Sequence, residues 1–228
     1  MAETRTGIRS TLVQIPPLGL AGTLQYPNGP ALGLVLFAHG SGSSRSRLSP
    51  RNKFVATALC ESGLATLLFD LLTEDEAADR RNVFDIGLLA DRLSLAAEWV
   101  AQEVGTRALP WGYFGASTGA AAALVAAARQ PETCAAVVSR GGRPDLAGGA
   151  LPRVRAPTLL IVGGDDLDVL TLNREAARRL RCEHRIAVVP GATHLFEEPG
   201  TLEAVVDLAR GWFLDHFGRW TQAPHPSD

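Results

Sequence analysis

The order of hydrophobic and polar residues predicts an open sheet of mostly parallel strands with helices between them. From residue 32 onward, short continuous apolar runs alternate with longer stretches in which apolar residues recur at helical spacing. Continuous apolar runs of this length are typical of parallel strands that are covered on both faces. The predicted strands of this kind are 32–38, 64–69, 111–114, 135–138, 158–162 and 186–189.

The first 26 residues follow a different pattern. Residues 18–26 alternate between apolar and small or polar side chains, which is the period of a strand with one buried face. Residues 8–15 form another candidate strand, separated from 18–26 by Pro16 and Pro17. We therefore predict an antiparallel pair of strands at the N-terminal end.

Capping residues and helical periodicity place helices between the strands. Ser49 followed by Pro50 is typical of a helix start. Gly218 is expected to end the last helix, which leaves 219–228 as a loose tail. The charged segment 71–84 is expected to form a solvated loop along one edge of the site. Beyond the helix that starts at Pro50, the predicted helices are 85–104, 118–129, 171–181 and 201–217.

Strands that alternate with helices over 228 residues indicate a single α/β domain, 1–228, because the chain shows no linker and no internal repeat. We expect helices on both faces of the sheet and no lid domain. In open sheets of this kind, active sites lie at the carboxyl ends of the strands. The residues that follow each predicted strand are therefore the ones to search for chemistry.

Composition and charge argue against several classes of partner. Hydrophobic residues make up 46% of the chain and charged residues 20%, and the net charge is -2 with no long block of one sign. We therefore expect no nucleic-acid partner and no membrane partner. No apolar run approaches the ~20 residues of a spanning helix, and the N-terminus shows no secretory signal. The three cysteines are widely spaced and are expected to be reduced, as in a cytoplasmic protein. We expect a monomer or a homodimer.

The most informative stretch contains a candidate nucleophile. An apolar strand runs into Gly115-Ala116-Ser117-Thr118-Gly119 and then directly into an alanine-rich helix. Gly-x-Ser-x-Gly between a strand and a helix is the pattern of a nucleophile elbow, in which a strained turn lifts the serine hydroxyl to the edge of the sheet. Ser117 would also lie at a helix N-terminus, where backbone N–H groups favour developing negative charge. The alternative is an ordinary glycine turn with a capping serine.

A serine needs a base, and the base needs a third group to orient it. Three aspartates, Asp165, Asp166 and Asp168, follow the strand 158–162, and His194 follows the last strand. This is the Ser–acid–His order of the elbow enzymes. Any of the three aspartates could orient the histidine, and together they could instead suggest a metal site, although no second ligand cluster is apparent.

The loop after the strand 32–38 is a candidate oxyanion hole. It reads His39-Gly40-Ser41-Gly42, and its small residues would let the backbone approach a substrate oxygen. We predict Ser41 N–H and Thr118 N–H as the two donors, with His39, Gly40 and Gly42 near the substrate. A phosphate-binding loop is the competing interpretation, but Arg45 stands where G-x-G-x-x-G needs its third glycine.

Arginines follow two of the strands. Arg45 and Arg47 lie in the candidate oxyanion loop, and Arg140 and Arg143 follow the strand 135–138. Because arginine pairs well with carboxylate and phosphate oxygens, one hypothesis is a preference for esters that carry an anionic group, with Arg45 and Arg140 near the substrate. The alternative is that these are solvated surface arginines.

In this order, the motifs HGSGSS, GASTG, VGGDD and PGATHLFEEPG resemble an α/β-hydrolase, with most similarity to the small lidless enzymes of the dienelactone-hydrolase-like branch. The resemblance covers residues 8–217. It implies an eight-stranded sheet, no cofactor, and hydrolysis of small esters or lactones. From the residues themselves we expect no metal. Related sequences carry the acid in V-G-G-x-D-x-x-V, which selects Asp166. Dienelactone hydrolases carry a cysteine nucleophile where this chain has Ser117, which favours a general carboxylesterase.

The resulting hypothesis is a serine hydrolase with Ser117 as nucleophile, His194 as base and Asp166 as the orienting acid, acting on a small-molecule ester. The same three side chains would also suit a thioesterase, a peptidase or an acyltransferase, because they do not choose the leaving group or the acyl acceptor. A non-catalytic binder on the same fold is a further alternative.

Overall fold

One mixed sheet organises the chain. The computed structural model describes residues 7–40 and 49–222. Eight strands lie in the order β1-β2-β4-β3-β5-β6-β7-β8, and β2 alone runs against its neighbours. The strands are β1 (Arg9–Ile15), β2 (Leu20–Tyr26), β3 (Leu34–Ala38), β4 (Ala65–Phe69), β5 (Trp111–Ala116), β6 (Cys134–Arg140), β7 (Thr158–Gly163) and β8 (His184–Val189). The predicted mostly parallel sheet with an antiparallel N-terminal pair is confirmed.

Six α-helices connect the strands. They are α1 (Pro50–Glu61), α2 (Glu74–Ala78), α3 (Ile86–Val100), α4 (Thr118–Arg129), α5 (Leu167–Ala177) and α6 (Thr201–Gln222), and shorter 3₁₀ segments cover Asn82–Phe84 and Pro144–Arg153. The start of α1 is as predicted, because the Ser49 hydroxyl accepts the Asn52 N–H and Pro50 takes the first helical position. Among the helices of the described residues, none is long and apolar enough to cross a bilayer.

The hydrophobic core lies on both faces of the sheet, as the continuous apolar runs predict. On one face α3 and α4 pack against the strands, and on the other face α1 and α6 do so. Every residue of β3, β4, β5, β6 and β7 is buried. Burial on both faces holds the strand ends in fixed positions, which is what a site built at those ends requires.

Three sequence predictions about local structure are wrong. Helix α6 runs through Gly218 to Gln222, so residues 219–222 are helical rather than part of a loose tail. Phe217 is buried, and Trp220 packs against the same core cluster one turn later, which holds the helix past the glycine. The remaining residues of that predicted tail lie outside the described part of the chain.

The charged segment 71–84 is also more ordered than expected. It contains α2, which begins with a reciprocal capping box: the Thr73 hydroxyl accepts the Glu76 N–H, and the Glu76 carboxylate accepts the Thr73 N–H. Helix α5 begins four residues before the predicted start and ends four residues before the predicted end; Asp168 lies in its first turn, where an acidic side chain is favourable.

The strand order reverses at β3, which lies between β4 and β5. The chain leaves β3 towards β4 on one side and later returns as β5 on the other side. Open α/β sheets bind their ligands at such a reversal, in the crevice beyond the carboxyl ends of the two strands. Gly40 and Ser117 follow these two strands.

Candidate active site

Ser117 occupies a strained turn between β5 and α4. Its backbone dihedral angles are φ 52° and ψ -123°, a conformation that side-chain-bearing residues rarely adopt. Both of its peptide groups are held: its N–H donates to Arg140 O at 3.3 Å, and its carbonyl accepts Arg143 N–H at 3.0 Å. The predicted elbow geometry is therefore present, and the segment after β6 fixes it.

Glycines around Ser117 allow backbone segments to touch each other. A Cβ atom at Gly115 would lie 2.5 Å from Ala120 Cα, and one at Gly119 would lie 2.3 Å from His39 O. A Cβ atom at Gly40 would lie 2.7 Å from Ser117 Cβ. Because real Cβ atoms do not approach so closely, only glycine fits these three positions. The two glycines of the G-x-S-x-G motif are thus explained by contacts with α4 and with the end of β3.

His194 and Asp166 form a direct hydrogen bond. His194 Nδ1–H donates to Asp166 Oδ2 at 2.7 Å, and the carboxylate is more buried than the imidazole. Among the described residues, no hydrogen bond joins Asp165 or Asp168 to His194. This bond uses Nδ1, so in the neutral imidazole the lone pair lies on Nε2.

The acid and histidine loops pack backbone against backbone. A Cβ atom at Gly163 would lie 2.3 Å from Ala192 O, and Asp165 N–H donates to Ala192 O at 3.0 Å. Gly164 N–H donates to Val189 O at 2.8 Å. The two glycines before the aspartates therefore let the two loops approach closely enough for the hydrogen bond between Asp166 and His194.

Glu198 holds the histidine loop and was not singled out by the sequence. Its carboxylate accepts the Thr193 hydroxyl at 2.6 Å and the Thr193 N–H at 3.1 Å. These hydrogen bonds, of which the one from the Thr193 hydroxyl contributes most, keep the pKa of Glu198 below its ordinary value. Thr193 directly precedes His194, so Glu198 holds the backbone next to the histidine. A glutamate five residues after a threonine carries no recognised sequence signal.

Ser117 and His194 both contact the segment 140–143, and no hydrogen bond joins them to each other in the described part of the chain. A Cβ atom at Gly141 would lie 3.7 Å from His194 Cε1, so this glycine lies beside the imidazole. The same segment makes the two backbone hydrogen bonds to Ser117. Hydrogen bonds between a nucleophile and its base are often long in ligand-free enzymes and tighten when substrate binds.

His39 supports the loop after β3. Only 1% of the residue is exposed, and burial lowers the pKa of His39 to about 4, although the hydrogen bond to Gly40 opposes this shift. In the neutral ring, Nδ1–H donates to Gly40 O at 3.1 Å and Nε2 accepts Leu71 N–H at 3.4 Å. Both ring nitrogens are used within the protein, so the ring holds this loop rather than offering a nitrogen to a substrate.

The predicted oxyanion hole is described in part. Thr118 is buried and begins α4 directly after Ser117, and Gly40 lies against the Ser117 side chain. Ser41, Gly42 and Arg45 lie outside the described residues, so their roles stay predictions.

Arg140 is a buried cation close to these residues. It is 7% exposed, and its guanidinium lies 5.9 Å from the centre of the Phe196 ring. Burial, and then the charge of Arg51, lower the pKa of Arg140 to about 10, so it remains charged at neutral pH. No carboxylate pairs with it in the described part of the chain, and residues 41–48 contain no Asp or Glu. By contrast, Arg143 pairs with Asp145 at 2.8 Å.

Within residues 7–40 and 49–222, we find no group of three or more His, Cys, Asp or Glu side chains that could hold a metal ion. The three cysteines are free thiols, and Cys60 and Cys134 are buried. Burial raises the pKa of Cys60 to about 11, which disfavours the reactive thiolate.

Comparison with known proteins identifies close relatives. No protein-family model matches the chain. A crystal structure of a dienelactone hydrolase from Anabaena variabilis is 55% identical, with a TM-score of 0.85 over 92% of this chain and 97% of that chain. Est1E from Butyrivibrio proteoclasticus shares the fold alone, at 15% identity and a TM-score of 0.75 over 92% of this chain and 99% of that chain.

Among curated proteins, a Mycobacterium tuberculosis protein provisionally named a phosphoribosyl transferase is 59% identical over 200 residues, which are 88% of this chain and 44% of that protein. The chain thus spans less than half of this curated relative. The dienelactone hydrolase, by contrast, is matched over nearly its whole length at an identity that fixes the family. The chain therefore belongs to the dienelactone hydrolase family of the α/β-hydrolase superfamily.

Proposed function

We propose that this protein is a serine carboxylesterase that cleaves small esters or lactones through an acyl-enzyme on Ser117. The observation that carries the proposal is the 2.7 Å hydrogen bond from His194 Nδ1 to Asp166, in a loop packed beside the segment that holds the strained Ser117 turn. A histidine oriented in this way can accept the proton of a serine hydroxyl through Nε2.

The proposed reaction is acyl transfer in two steps. In the first step, Ser117 Oγ attacks the carbonyl carbon while His194 Nε2 takes the hydroxyl proton, and Asp166 stabilises the imidazolium. The N–H groups of Thr118 and Ser41 stabilise the oxyanion, and the alcohol leaves with the proton of His194. In the second step, water gives a proton to His194 Nε2 and attacks the acyl carbon. The bond between this carbon and Ser117 Oγ then breaks, and Oγ takes the proton back from His194 as the acid leaves.

The relatives support a hydrolase rather than a transferase. The phosphoribosyl transferase name belongs to a protein of which this chain matches 44%. This chain itself matches the dienelactone hydrolase from Anabaena variabilis at 55% identity, over 97% of the length of that hydrolase. Est1E, at 15% identity, supports the fold alone.

A substrate panel tests the proposed function. Purified protein should hydrolyse nitrophenyl esters of short acids faster than the matching thioesters and anilides, and a fluorophosphonate should label Ser117, as located by mass spectrometry. Faster cleavage of thioesters or anilides would indicate a thioesterase or a peptidase, and acyl transfer to an added alcohol in preference to water would indicate an acyltransferase. A folded protein that neither reacts nor becomes labelled would be a binder instead.

Arg140 supports a finer proposal about the substrate, namely an ester that carries an anionic group. A buried charge without a counter-charge is costly, and a protein keeps one where a ligand supplies the opposite charge. Arg140 meets this description among the described residues. It lies at the end of β6, beside Ser117, and its carbonyl oxygen accepts the Ser117 N–H. The candidate loop 41–48 contains no acid to neutralise it.

Replacing Arg140 with methionine should lower kcat/KM for a carboxylate-bearing nitrophenyl ester about ten-fold or more, because a charge-assisted hydrogen bond contributes roughly 1.5–3 kcal/mol. The value for a neutral ester of the same length should change less than about three-fold. Arg143→Met is the matched control, because that guanidinium already pairs with Asp145. If the ratio of the two esters is the same in wild type and Arg140→Met, Arg140 does not select the substrate.

A further inference from the structure

Asn173 joins two parts of the site that are distant in sequence. It lies on α5, two turns after Asp166, and its side chain is fully buried. Its Nδ2 group donates one hydrogen bond to Val169 O within the helix at 2.8 Å and another to Gly142 O at 2.9 Å. The amide therefore connects the helix that begins at the acid to the segment that follows β6.

We call that segment, Arg140 to Arg143, the elbow brace. Its ends bind both sides of the Ser117 peptide: Arg140 O accepts Ser117 N–H, and Arg143 N–H donates to Ser117 O. Its Gly141 lies against the His194 ring, and a Cβ atom at its Gly142 would lie 2.6 Å from Ala120 Cβ in the first turn of α4. The brace thus touches the nucleophile, the histidine and the helix after the nucleophile.

The hydrogen bonding of Asn173 is unfavourable for folding alone. Both partners of its side chain are carbonyl oxygens, which fixes the Nδ2 end towards them. Its Oδ1 atom is buried and has no hydrogen-bond partner in the described part of the chain. Asparagine also disfavours helix interiors, and a leucine of similar size would avoid the unpaired Oδ1 but would leave Gly142 O without its Nδ2 donor. Violations of local rules of this kind concentrate at functional sites.

We propose that Asn173 is a positioning residue that sets the elbow brace, and through the brace the alignment of Ser117 with His194. This inference rests on the proposed hydrolase function. The strained backbone of Ser117 persists only if its surroundings hold it, and the bond from Asn173 to Gly142 O is the one side-chain hydrogen bond that reaches the middle of the brace among the described residues. Asn173 itself lies behind the brace and touches no reacting atom.

Two substitutions separate the effect of the hydrogen bond from Asn173 to Gly142 O from the other effects of this side chain. Asn173→Leu keeps the volume and removes both hydrogen bonds. Asn173→Ser keeps a hydroxyl that can donate to Val169 O four residues earlier in the helix, but its shorter side chain does not reach Gly142 O. We expect both variants to lose about 10- to 100-fold in kcat, because displacements of about 1 Å at a reacting centre have effects of this size. KM should change less than about three-fold.

Two controls distinguish positioning from a general loss of stability. Thr171→Val removes another side-chain hydrogen bond of the same helix, from the Thr171 hydroxyl to Leu167 O, without touching the brace. Val100→Ala opens the buried core at the end of α3, towards the amino ends of the parallel strands and away from the brace, and lowers stability there. Both controls should retain kcat within about three-fold of wild type.

The readouts are kcat, KM, the rate of fluorophosphonate labelling of Ser117 and the urea midpoint of unfolding. The proposal expects labelling to slow in parallel with kcat in both Asn173 variants, while the urea midpoint of Asn173→Ser falls no further than that of Val100→Ala. If Ser117 is labelled in wild type and equally fast in Asn173→Ser, the positioning role is overturned while the hydrolase proposal stands. It is also overturned if Val100→Ala loses as much kcat at the same midpoint. If wild type is not labelled at all, the proposed function fails and this inference fails with it.

Discussion

Ser117→Ala should lower kcat for a nitrophenyl ester by about 10⁴- to 10⁶-fold, the loss seen when the nucleophile of such a triad is removed. The expected loss is this large because the substitution removes the only atom that bonds to the acyl carbon. The backbone should remain in place, since its two hydrogen bonds to the segment 140–143 use peptide groups that alanine also has. Ester hydrolysis by stopped assay and fluorophosphonate labelling measure the loss.

Ser139→Ala is the matched control for this substitution. Ser139 lies on the adjacent strand β6, is fully buried, and its hydroxyl has no hydrogen-bond partner among the described residues. Removing it should leave kcat within about three-fold and should stabilise the protein slightly, because an unsatisfied polar group leaves the core. A Ser117→Ala protein that retained a tenth of wild-type turnover would exclude Ser117 as the nucleophile.

Asp166→Asn should lower kcat about 10⁴-fold at neutral pH. An amide in place of the carboxylate can present an N–H group to His194 Nδ1, which favours the tautomer with its proton on Nε2, and that tautomer cannot accept the proton of the serine. The amide also no longer stabilises the imidazolium. The circular dichroism spectrum should be unchanged, since Asp166 lies in a turn and its side chain makes no cap hydrogen bond to α5.

The neighbouring aspartates provide controls of the same chemistry. Asp165→Asn and Asp168→Asn should each keep kcat within about five-fold, because neither carboxylate hydrogen-bonds His194 in the described structure. A loss in Asp165→Asn as large as that in Asp166→Asn would show that the two carboxylates exchange roles during turnover. That result would contradict the assignment of Asp166 alone.

The fold was predictable because each buried strand is a short apolar run that local sequence reveals. The helix boundaries were harder where long-range packing decides them. Gly218 is a typical helix end by propensity, yet Phe217 and Trp220 hold α6 against the core beyond it. The start of α5 was missed because the three closely spaced aspartates resemble a loop, whereas Asp168 lies in the first helical turn, where an acidic side chain is favourable.

The candidate site was predictable where a local pattern carries it. The elbow glycines and Ser117 are contiguous, and His194 follows the last strand. The choice of Asp166 among three aspartates needed the resemblance to a family, because spacing alone does not say which carboxylate faces the histidine. Glu198 and Asn173 could not be found from the sequence, since their roles depend on contacts between loops that meet only in the folded chain.

The glycine contacts of the site also have an evolutionary consequence. At Gly119 and Gly163 the loops that carry the reactive groups touch main chain to main chain, so any mutation there would drive two loops apart. Adaptation to new substrates must therefore come from elsewhere. Leu167 and Leu195 directly follow the acid and the histidine and are 68% and 40% exposed, so they can vary at little cost to folding. We expect members of this family to diverge in substrate range at such positions while the proposed catalytic residues stay constant.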